Sequence, residues 1–188
     1  MLASALRVRT SVTLGSPACY RRSHGLRNSP LRARIVSSAS ISGSSMPPFH
    51  LAFPTHNVQA SRDFYGGLLQ CPEGRSSERW VDFNLYGHQI VCHQVDGYTA
   101  DASANAVDGD PVPVPHFGLA MSVDDFHQLA ERVRTAGIEF VIEPHLRFQG
   151  QPGEQYTMFF KDPSGNSLEF KAMTNPENLF ARYTVEAG

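Results

Sequence analysis

The sequence lacks several features that would restrict its class at once. It has three cysteines and no CxxC pair, which argues against a structural zinc site or a disulfide framework. No apolar run is long enough to cross a membrane, so we expect no membrane partner. Charged residues make up 18% of the chain and hydrophobic residues 41%, which is typical of one globular domain with a sizeable core.

Acidic residues and lysine are absent from residues 1–45, which contain seven arginines and eleven serines. This composition predicts an organelle transit peptide. The hydroxylated stretch 37–45 favours a chloroplast, with the mitochondrion as the alternative. A basic arm that binds nucleic acid is the competing interpretation. It is disfavoured because Tyr20 is the only aromatic residue among the arginines, so we predict no nucleic-acid partner.

The remaining residues show the same order of predicted elements twice. Residues 49–53 alternate like a strand, and a helix capped by Asn57 follows and runs to about Leu69. Strand-like runs at 80–85 and 89–94 come next, joined by a hairpin turn. The pattern then starts again at His116, 66 residues after His50.

The second repeat has clearer boundaries than the first. Residues 116–121 alternate, and Ser122 begins a helix that stops at Gly137. A strand at 138–142 precedes a hairpin over 155–171, whose turn is Asp162-Pro163-Ser164-Gly165. We predict an α+β fold for residues 46–173, with one repeat at 46–95 and the other at 116–173, and a short C-terminal tail at 174–188.

The segment between the repeats, residues 96–115, has a different composition. Its end contains three prolines, which remove hydrogen-bond donors and exclude a central strand. We therefore predict a connecting loop with an extended end. Its length suits a lid over a site, and a passive linker is the alternative.

Three polar residues occupy equivalent positions in the predicted strands. His50 and His116 begin matching strands, and their side chains lie on the face opposite the large apolar residues. The Glu169 side chain also lies opposite the large apolar residues of its strand, the last one. If both repeats join in one curved sheet covered by helices, all three side chains face its hollow. Two imidazoles and a carboxylate suit Fe(II), with Mn(II) also acceptable, so we predict these residues as ligands of a divalent metal.

The chain resembles the vicinal-oxygen-chelate superfamily, which contains glyoxalases, bleomycin-resistance proteins and extradiol dioxygenases, and in particular a branch of predicted extradiol-type dioxygenases. The similarity covers essentially all of residues 46–173. It is carried by FHLAFP (49–54), ASRDFYGGLLQCPEGRSS (60–77), FNLYGHQIVCH (83–93), VDGDPVPVPHFG (107–118), LAERVRTAGIEFVIEP (129–144) and GQPGEQYTMFFKDPSGNSLEFKA (150–172).

The resemblance implies two βαβββ modules that form one curved, barrel-like mixed sheet with the helices on its outside. It places the family's metal ligands at His50, His116 and Glu169. The fourth ligand of glyoxalases falls near Val91, which cannot bind a metal. Ring-cleaving relatives have a tyrosine where Phe159 stands and an acid/base histidine where Gly150 stands.

The resemblance implies a metal-dependent dioxygenase that acts on a small substrate with vicinal oxygens, such as an aromatic diol, and on dioxygen. His93, His145 and Tyr156 are the candidate catalytic residues. Tyr156 is three residues from Phe159, however, so its side chain faces the other side of an unbulged strand. A metal-dependent lyase or isomerase of the glyoxalase type and a non-catalytic protein that binds small aromatics are the alternatives. Both a monomer and a homodimer stay open.

Overall fold

The computed structural model describes residues 46–183 of the 188-residue chain. The predicted transit peptide at 1–45 and the last part of the predicted tail, 184–188, lie outside the described residues. No helix within 46–183 combines the length and apolar character that a membrane span requires.

The first repeat forms the predicted strand-helix-strands unit with one additional strand. Its elements are β1 (His50–Thr55), α1 (Val58–Ser61) with a π-helical continuation (Arg62–Leu68), β2 (Glu73–Ser76), β3 (Trp80–Leu85) and β4 (His88–Gln94). The sheet order is β1-β4-β3-β2, with β1 parallel to β4. The short strand β2 is exposed throughout and has no apolar alternation, which explains why the sequence did not indicate it.

The segment between the repeats is a β-hairpin rather than the loop that the sequence predicts. It consists of β5 (Ser103–Val107) and β6 (Asp110–Val114), joined by Asp108 and Gly109 at positive φ. Pro111 and Pro113 are tolerated because each strand has only one partner, so β6 has a free edge where a donor is not needed.

The second repeat contains β7 (His116–Ala120), α2 (Val123–Thr135), β8 (Phe140–Arg147), β9 (Gln155–Lys161) and β10 (Ser167–Met173). Its sheet order is β7-β10-β9-β8, which matches the arrangement of the first repeat. A short 3-10 helix, Pro176–Phe180, lies where the sequence predicts an amphipathic turn. The duplication inferred from the pattern is therefore present in the topology.

Both helix caps form as predicted. The Asn57 side chain accepts a hydrogen bond from the Ala60 amide, and Ser122 accepts one from the Asp125 amide. Gly137 follows α2 with φ +74°, a conformation that side chains with a Cβ rarely adopt.

The helices pack on one face of each sheet. Apolar side chains from both helical segments, among them Phe64 and Phe126, share a core with strand residues such as Phe83, Phe160 and Phe170. The large residues of each strand thus face the helices, as alternation predicts. The side chains of His50, His116 and Glu169 alternate with these large residues, so they lie on the face away from the helices.

The two modules dock through apolar residues of their first strands. The rings of Phe53 in β1 and Phe117 in β7 are 4.7 Å apart between centroids. No strand pairing joins the two four-stranded sheets in residues 46–183, so the structure does not show the single barrel-like sheet that we predict.

A buried polar cluster fixes the same seam between the modules. Asp162, in the turn before β10, accepts hydrogen bonds from the Tyr65 hydroxyl at 2.9 Å and from the Ser164 and Asn166 amides. The Asn166 side chain donates to the Pro54 carbonyl at 3.1 Å. The turn chemistry read from the sequence thus also holds the first module in place.

Candidate metal centre

Parallel pairing of β7 with β10 places two of the predicted ligands side by side. Ser167 pairs with His116 and Glu169 pairs with Gly118, so the two side chains project from the same face. His116 Nε2 lies 3.2 Å from Glu169 Oε2. The Glu169 side chain is 11% exposed and the His116 side chain 29%, so the pair is only partly open to water.

The His116 ring is held in one tautomer by the backbone. Its Nδ1 lies 2.5 Å from the Pro113 carbonyl oxygen, which can only accept a hydrogen bond. Nδ1 must therefore carry a proton, and Nε2 of the neutral ring has a lone pair directed at the Glu169 carboxylate. Two acceptors at this distance repel each other unless a proton or a metal cation lies between them.

Glu169 is oriented by further contacts on the same face. The Thr157 hydroxyl donates to Glu169 Oε1 at 3.0 Å, and Lys171 Nζ lies 3.8 Å from Oε2. The fully buried Phe159 ring packs edge-on against His116, with centroids 5.2 Å apart. The carboxylate is thus fixed by one hydrogen bond, faces two cationic or metal-binding groups and borders an apolar wall.

The hairpin β5–β6 covers this face of the second sheet. Val112 packs on Ile142 and Phe159, and Pro113 provides the carbonyl that holds His116. The buried Arg147 side chain pairs with Asp110 at 3.3 Å and donates to the Val107 carbonyl. Of the two sequence interpretations of this segment, the cover over a site agrees with the structure better than the passive linker.

His50 lies on the equivalent face of the other sheet. Its Nδ1 is 2.8 Å from Oε1 of Gln89, its partner in the β1–β4 pairing. Leu51 and Phe53 of the same strand point to the core shared with the second module, so alternation directs His50 away from it.

The expected convergence of three ligands within one chain is therefore not seen. His116 and Glu169 are adjacent, and His50 is on a different sheet. Within residues 46–183, no three His, Cys, Asp or Glu side chains are grouped closely enough to hold a metal ion. The physical reason is the docking of the modules through their apolar faces, which turns the two histidine faces outward.

The candidate catalytic residues have three different environments. His93 is exposed on the His50 face of β4, four residues or about 13 Å along the strand from Gln89. His145 lies on the Glu169 face of its sheet, but its Nδ1 is 2.7 Å from the Glu143 carbonyl and its Nε2 is 3.0 Å from Asp110. Both ring nitrogens of His145 are engaged.

Tyr156 lies on the opposite side of the sheet from Glu169. Its ring packs against Phe126 and His127 of α2, with centroids 5.8 Å and 4.8 Å away. The pairing of β9 with β10 has no irregularity here, so strand alternation keeps Tyr156 away from the site. Within one chain its hydroxyl cannot reach a substrate bound at Glu169.

Sequence reasoning missed the residues that orient these ligands. Thr157 could have been found from the Asp162–Gly165 turn, whose register sets Phe159 opposite Glu169 and Thr157 two pairs further along, on the same face. Gln89 opposes His50 only through the parallel β1–β4 pairing, for which the sequence contains no local signal. The Pro113 contribution is a backbone atom, which no side-chain pattern indicates.

The duplicated βαβββ topology defines a two-module protein, and the His116–Glu169 pair lies on the second of its two sheets. Residues 48–170 match the Glyoxalase/Bleomycin resistance protein/Dioxygenase superfamily, and the chain belongs to this superfamily. A search of curated proteins finds no match.

Solved structures agree with the family assignment. The chain is similar to a glyoxalase/bleomycin resistance protein/dioxygenase from Alicyclobacillus acidocaldarius, with 30% identity, a TM-score of 0.60 and coverage of 71% of this chain and 96% of that one. It also shares its fold with the fosfomycin resistance protein FosX from Listeria monocytogenes, with 20% identity, a TM-score of 0.53 and coverage of 74% and 99%.

The His116–Glu169 pair fits a divalent cation. Metal bonds of about 2.1 Å at right angles place two ligand atoms about 3 Å apart, close to the observed 3.2 Å between Nε2 and Oε2. One imidazole nitrogen and one carboxylate oxygen are donors that Fe(II), Mn(II) and Zn(II) accept. The proton on Nδ1 is already bound by the Pro113 carbonyl, as is usual for a histidine that binds metal.

Proposed function

We propose that the chain is a metal-dependent enzyme that acts on a small substrate with two adjacent oxygens, and that it is a dioxygenase of the extradiol type. His50, His116 and Glu169 are the metal ligands, with Fe(II) preferred and Mn(II) as the alternative. The observation that carries the proposal is the distance of 3.2 Å between His116 Nε2 and Glu169 Oε2, which is the separation expected of two atoms that bind one metal ion.

The third ligand comes from a second copy of the chain. His50 is on the open face of β1, and its Nδ1 proton is bound by Gln89 in the same way as that of His116 is bound by Pro113. Both imidazoles therefore present an unprotonated Nε2. A homodimer that sets the His50 face of one copy against the His116 face of the other supplies the complete 2-His-1-carboxylate set.

His50, His116 and Glu169 would hold the divalent metal, which would act as a Lewis acid and lower the pKa of two adjacent substrate hydroxyls. The protein residues prepare the site for this chemistry. Thr157 holds Glu169 Oε1 so that Oε2 faces inward, and Phe159 limits the access of water. Lys171 Nζ, 3.8 Å from Oε2, adds positive charge that stabilises a bound anionic substrate.

Proton transfer is the role proposed for His93. Its ring is exposed, and the described residues provide it with no hydrogen bond, so it is free to accept a proton. Because it lies about 13 Å along β4 from the level of His50, this role requires a substrate group that reaches that far along the strand. His145 instead anchors the hairpin through Asp110, and Tyr156 lies on the helix face.

Two alternatives belong to other classes of function. A lyase or isomerase of the glyoxalase type would use a fourth protein ligand in the first module, but the corresponding Val91 is apolar and 5% exposed. A protein that only sequesters a small aromatic would not need an imidazole nitrogen and a carboxylate oxygen placed at the separation of two metal ligands, as His116 and Glu169 are. Both observations favour the dioxygenase.

Metal analysis and oxygen uptake together test the proposal. The protein is purified with Fe(II) or Mn(II) supplied, and catechols are screened in an oxygen electrode. We expect about one metal per ligand set and oxygen consumption that His116→Ala abolishes. Substrate turnover without oxygen consumption would instead support the lyase or isomerase, and ligand binding by metal-free protein without turnover would support the binding protein.

Mixed dimers test the shared site. His50→Ala and Glu169→Ala each remove one ligand from every site of their own homodimer. After the two inactive proteins are dissociated and reassembled together, a hybrid contains one intact ligand set, so activity and metal binding should return in part. No recovery in verified hybrids would show that the ligands come from one chain.

Residues 1–45 are proposed to direct import into chloroplasts. A fusion of these residues to a fluorescent protein should accumulate in plastids, and neutralising the seven arginines should retain it outside. Accumulation in mitochondria would support the alternative destination.

A further inference from the structure

A chain of side-chain hydrogen bonds runs from His50 into the first sheet. His50 Nδ1 lies 2.8 Å from Gln89 Oε1, and Gln89 Nε2 donates to Asp82 Oδ2 at 2.9 Å. The same carboxylate oxygen accepts a bond of 3.1 Å from Arg75 Nε. Asp82 is on β3, Gln89 on β4 and Arg75 on β2, so all four strands of the first sheet contribute to one row of contacts.

Asp82 determines which group donates and which group accepts in each hydrogen bond of this row. An ionised carboxylate only accepts hydrogen bonds, so Gln89 must turn its NH2 group to Asp82 and its carbonyl oxygen to His50. That oxygen also only accepts, and His50 Nδ1 must therefore carry the proton. Nε2 is left with a free lone pair on the exposed face of the sheet.

The burial of Asp82 lowers the stability of the folded protein. It is 4% exposed, and its Oδ1 has no hydrogen-bond partner among residues 46–183. Among the described residues, its one cationic partner is Arg75, whose side chain is 77% exposed. The residue opposite it in the sheet is Val91, so an apolar side chain at position 82 would suit the surroundings. A carboxylate at this position therefore points to a role beyond packing.

We propose that Gln89 and Asp82 are positioning residues that hold His50 in the Nδ1–H tautomer. Without Asp82, the Gln89 amide is free to rotate and present its NH2 group to His50 Nδ1. That arrangement selects the other tautomer, in which Nε2 carries a proton and cannot bind a metal. The role of this tautomer in metal binding rests on the proposed function. The tautomer itself is a property of the metal-free protein.

Nitrogen NMR of metal-free protein labelled with 15N-histidine tests the inference directly. At about pH 8, where imidazole is neutral, His50 should show a protonated Nδ1 and an unprotonated Nε2. Gln89→Leu and Asp82→Leu should both shift His50 towards a protonated Nε2. His116 is the internal control, because its tautomer is held by Pro113 and should not change.

A double variant separates the effect of hydrogen-bond direction from the effect of side-chain packing. Gln89→Glu with Asp82→Asn exchanges the carboxylate and the amide, so that the group at position 82 donates and the group at position 89 only accepts. The Nδ1–H tautomer of His50 should be restored. If the single variants lower the melting temperature but leave the His50 tautomer unchanged, the role of the two residues is structural and the inference is overturned.

Titration with Mn(II) connects the tautomer to metal binding. Asp82→Leu and Gln89→Leu should weaken Mn(II) binding by about 10- to 100-fold, the usual effect of removing a residue that orients a ligand, and the double variant should recover most of it. Wild-type protein that binds no metal would refute the proposed function, while the NMR comparison would still decide the inference. Unchanged affinity in variants with an altered tautomer would overturn the link to metal binding.

Discussion

The Thr157 hydroxyl donates to Glu169 Oε1 at 3.0 Å, and so fixes which carboxylate oxygen faces His116. Thr157→Val keeps the shape of the side chain and removes only this donor. We expect Mn(II) affinity to fall by about 10- to 100-fold, with a destabilisation of about 1–3 kcal/mol because a half-buried acceptor loses its partner. Isothermal titration and urea unfolding measure the two effects.

Thr174→Val is the matched control for this change. The Thr174 hydroxyl donates to the Glu154 carbonyl on the exposed surface, away from the metal centre. Metal affinity should not respond to that substitution. Equal losses in both variants would show that Glu169 does not depend on Thr157.

Close approach of β7 to β10 depends on a glycine. A Cβ on Gly118 would collide with the backbone carbonyl of Glu169, and backbone cannot move aside as a flexible side chain can. Gly118→Ala should cost about 1–3 kcal/mol of stability by overpacking and should separate His116 from Glu169, which lowers metal affinity as well. Urea unfolding and Mn(II) titration provide the measurements.

Gly67→Ala shows what the same substitution does in open space. No atom lies within 4 Å of a Cβ placed there, and the residue is helical, so stability should stay the same or rise. If Gly118→Ala behaves like Gly67→Ala, then β7 and β10 are not packed as closely as described.

The Tyr65–Asp162 hydrogen bond predicts a pH-dependent contribution to stability. Burial, and then the nearby Asp162 carboxylate, raise the pKa of Tyr65 well above 10.0. Above about pH 10, the phenol of the unfolded chain loses its proton while the folded protein retains it, so the free energy of unfolding falls as pH rises. Below that pH the contribution of Tyr65 is fully present.

Tyr65→Phe should therefore lose about 1.5–3 kcal/mol at neutral pH, as expected for a hydrogen bond to a charged group. The gap to the wild type should narrow above about pH 10. Urea unfolding at several pH values measures both effects, with the half-exposed Tyr86→Phe as the control. A gap that does not change with pH would contradict the assignment of alkaline destabilisation to Tyr65.

The hairpin β5–β6 should loosen when its buried cation is removed. Arg147 bonds the Val107 carbonyl and pairs with Asp110, so Arg147→Met leaves the carboxylate without its buried partner. We expect faster proteolytic cleavage within residues 103–114, read by mass spectrometry. Arg134→Met, which removes an exposed ion pair with Glu143, should not change the cleavage rate. Equal cleavage rates in both variants would show that Arg147 does not anchor the hairpin.

Much of the fold was predictable because its signals are local. Strand alternation set His50, His116 and Glu169 opposite the large residues, and cap and turn residues such as Asn57, Ser122 and Gly165 marked the ends of elements. The repeat of these signals predicted the duplicated topology, which the structure confirms. The β5–β6 hairpin was missed because its prolines are unfavourable in most strands.

The amino-acid sequence by itself determined which face of its own strand each polar side chain occupies, since a period of two depends only on neighbouring residues. The tertiary structure decided which of these side chains meet. Pairing of β7 with β10 joined His116 to Glu169, whereas contact between Phe53 and Phe117 turned His50 away from them. Strand register and module docking arise from packing between residues distant in the chain, and no local pattern specifies them.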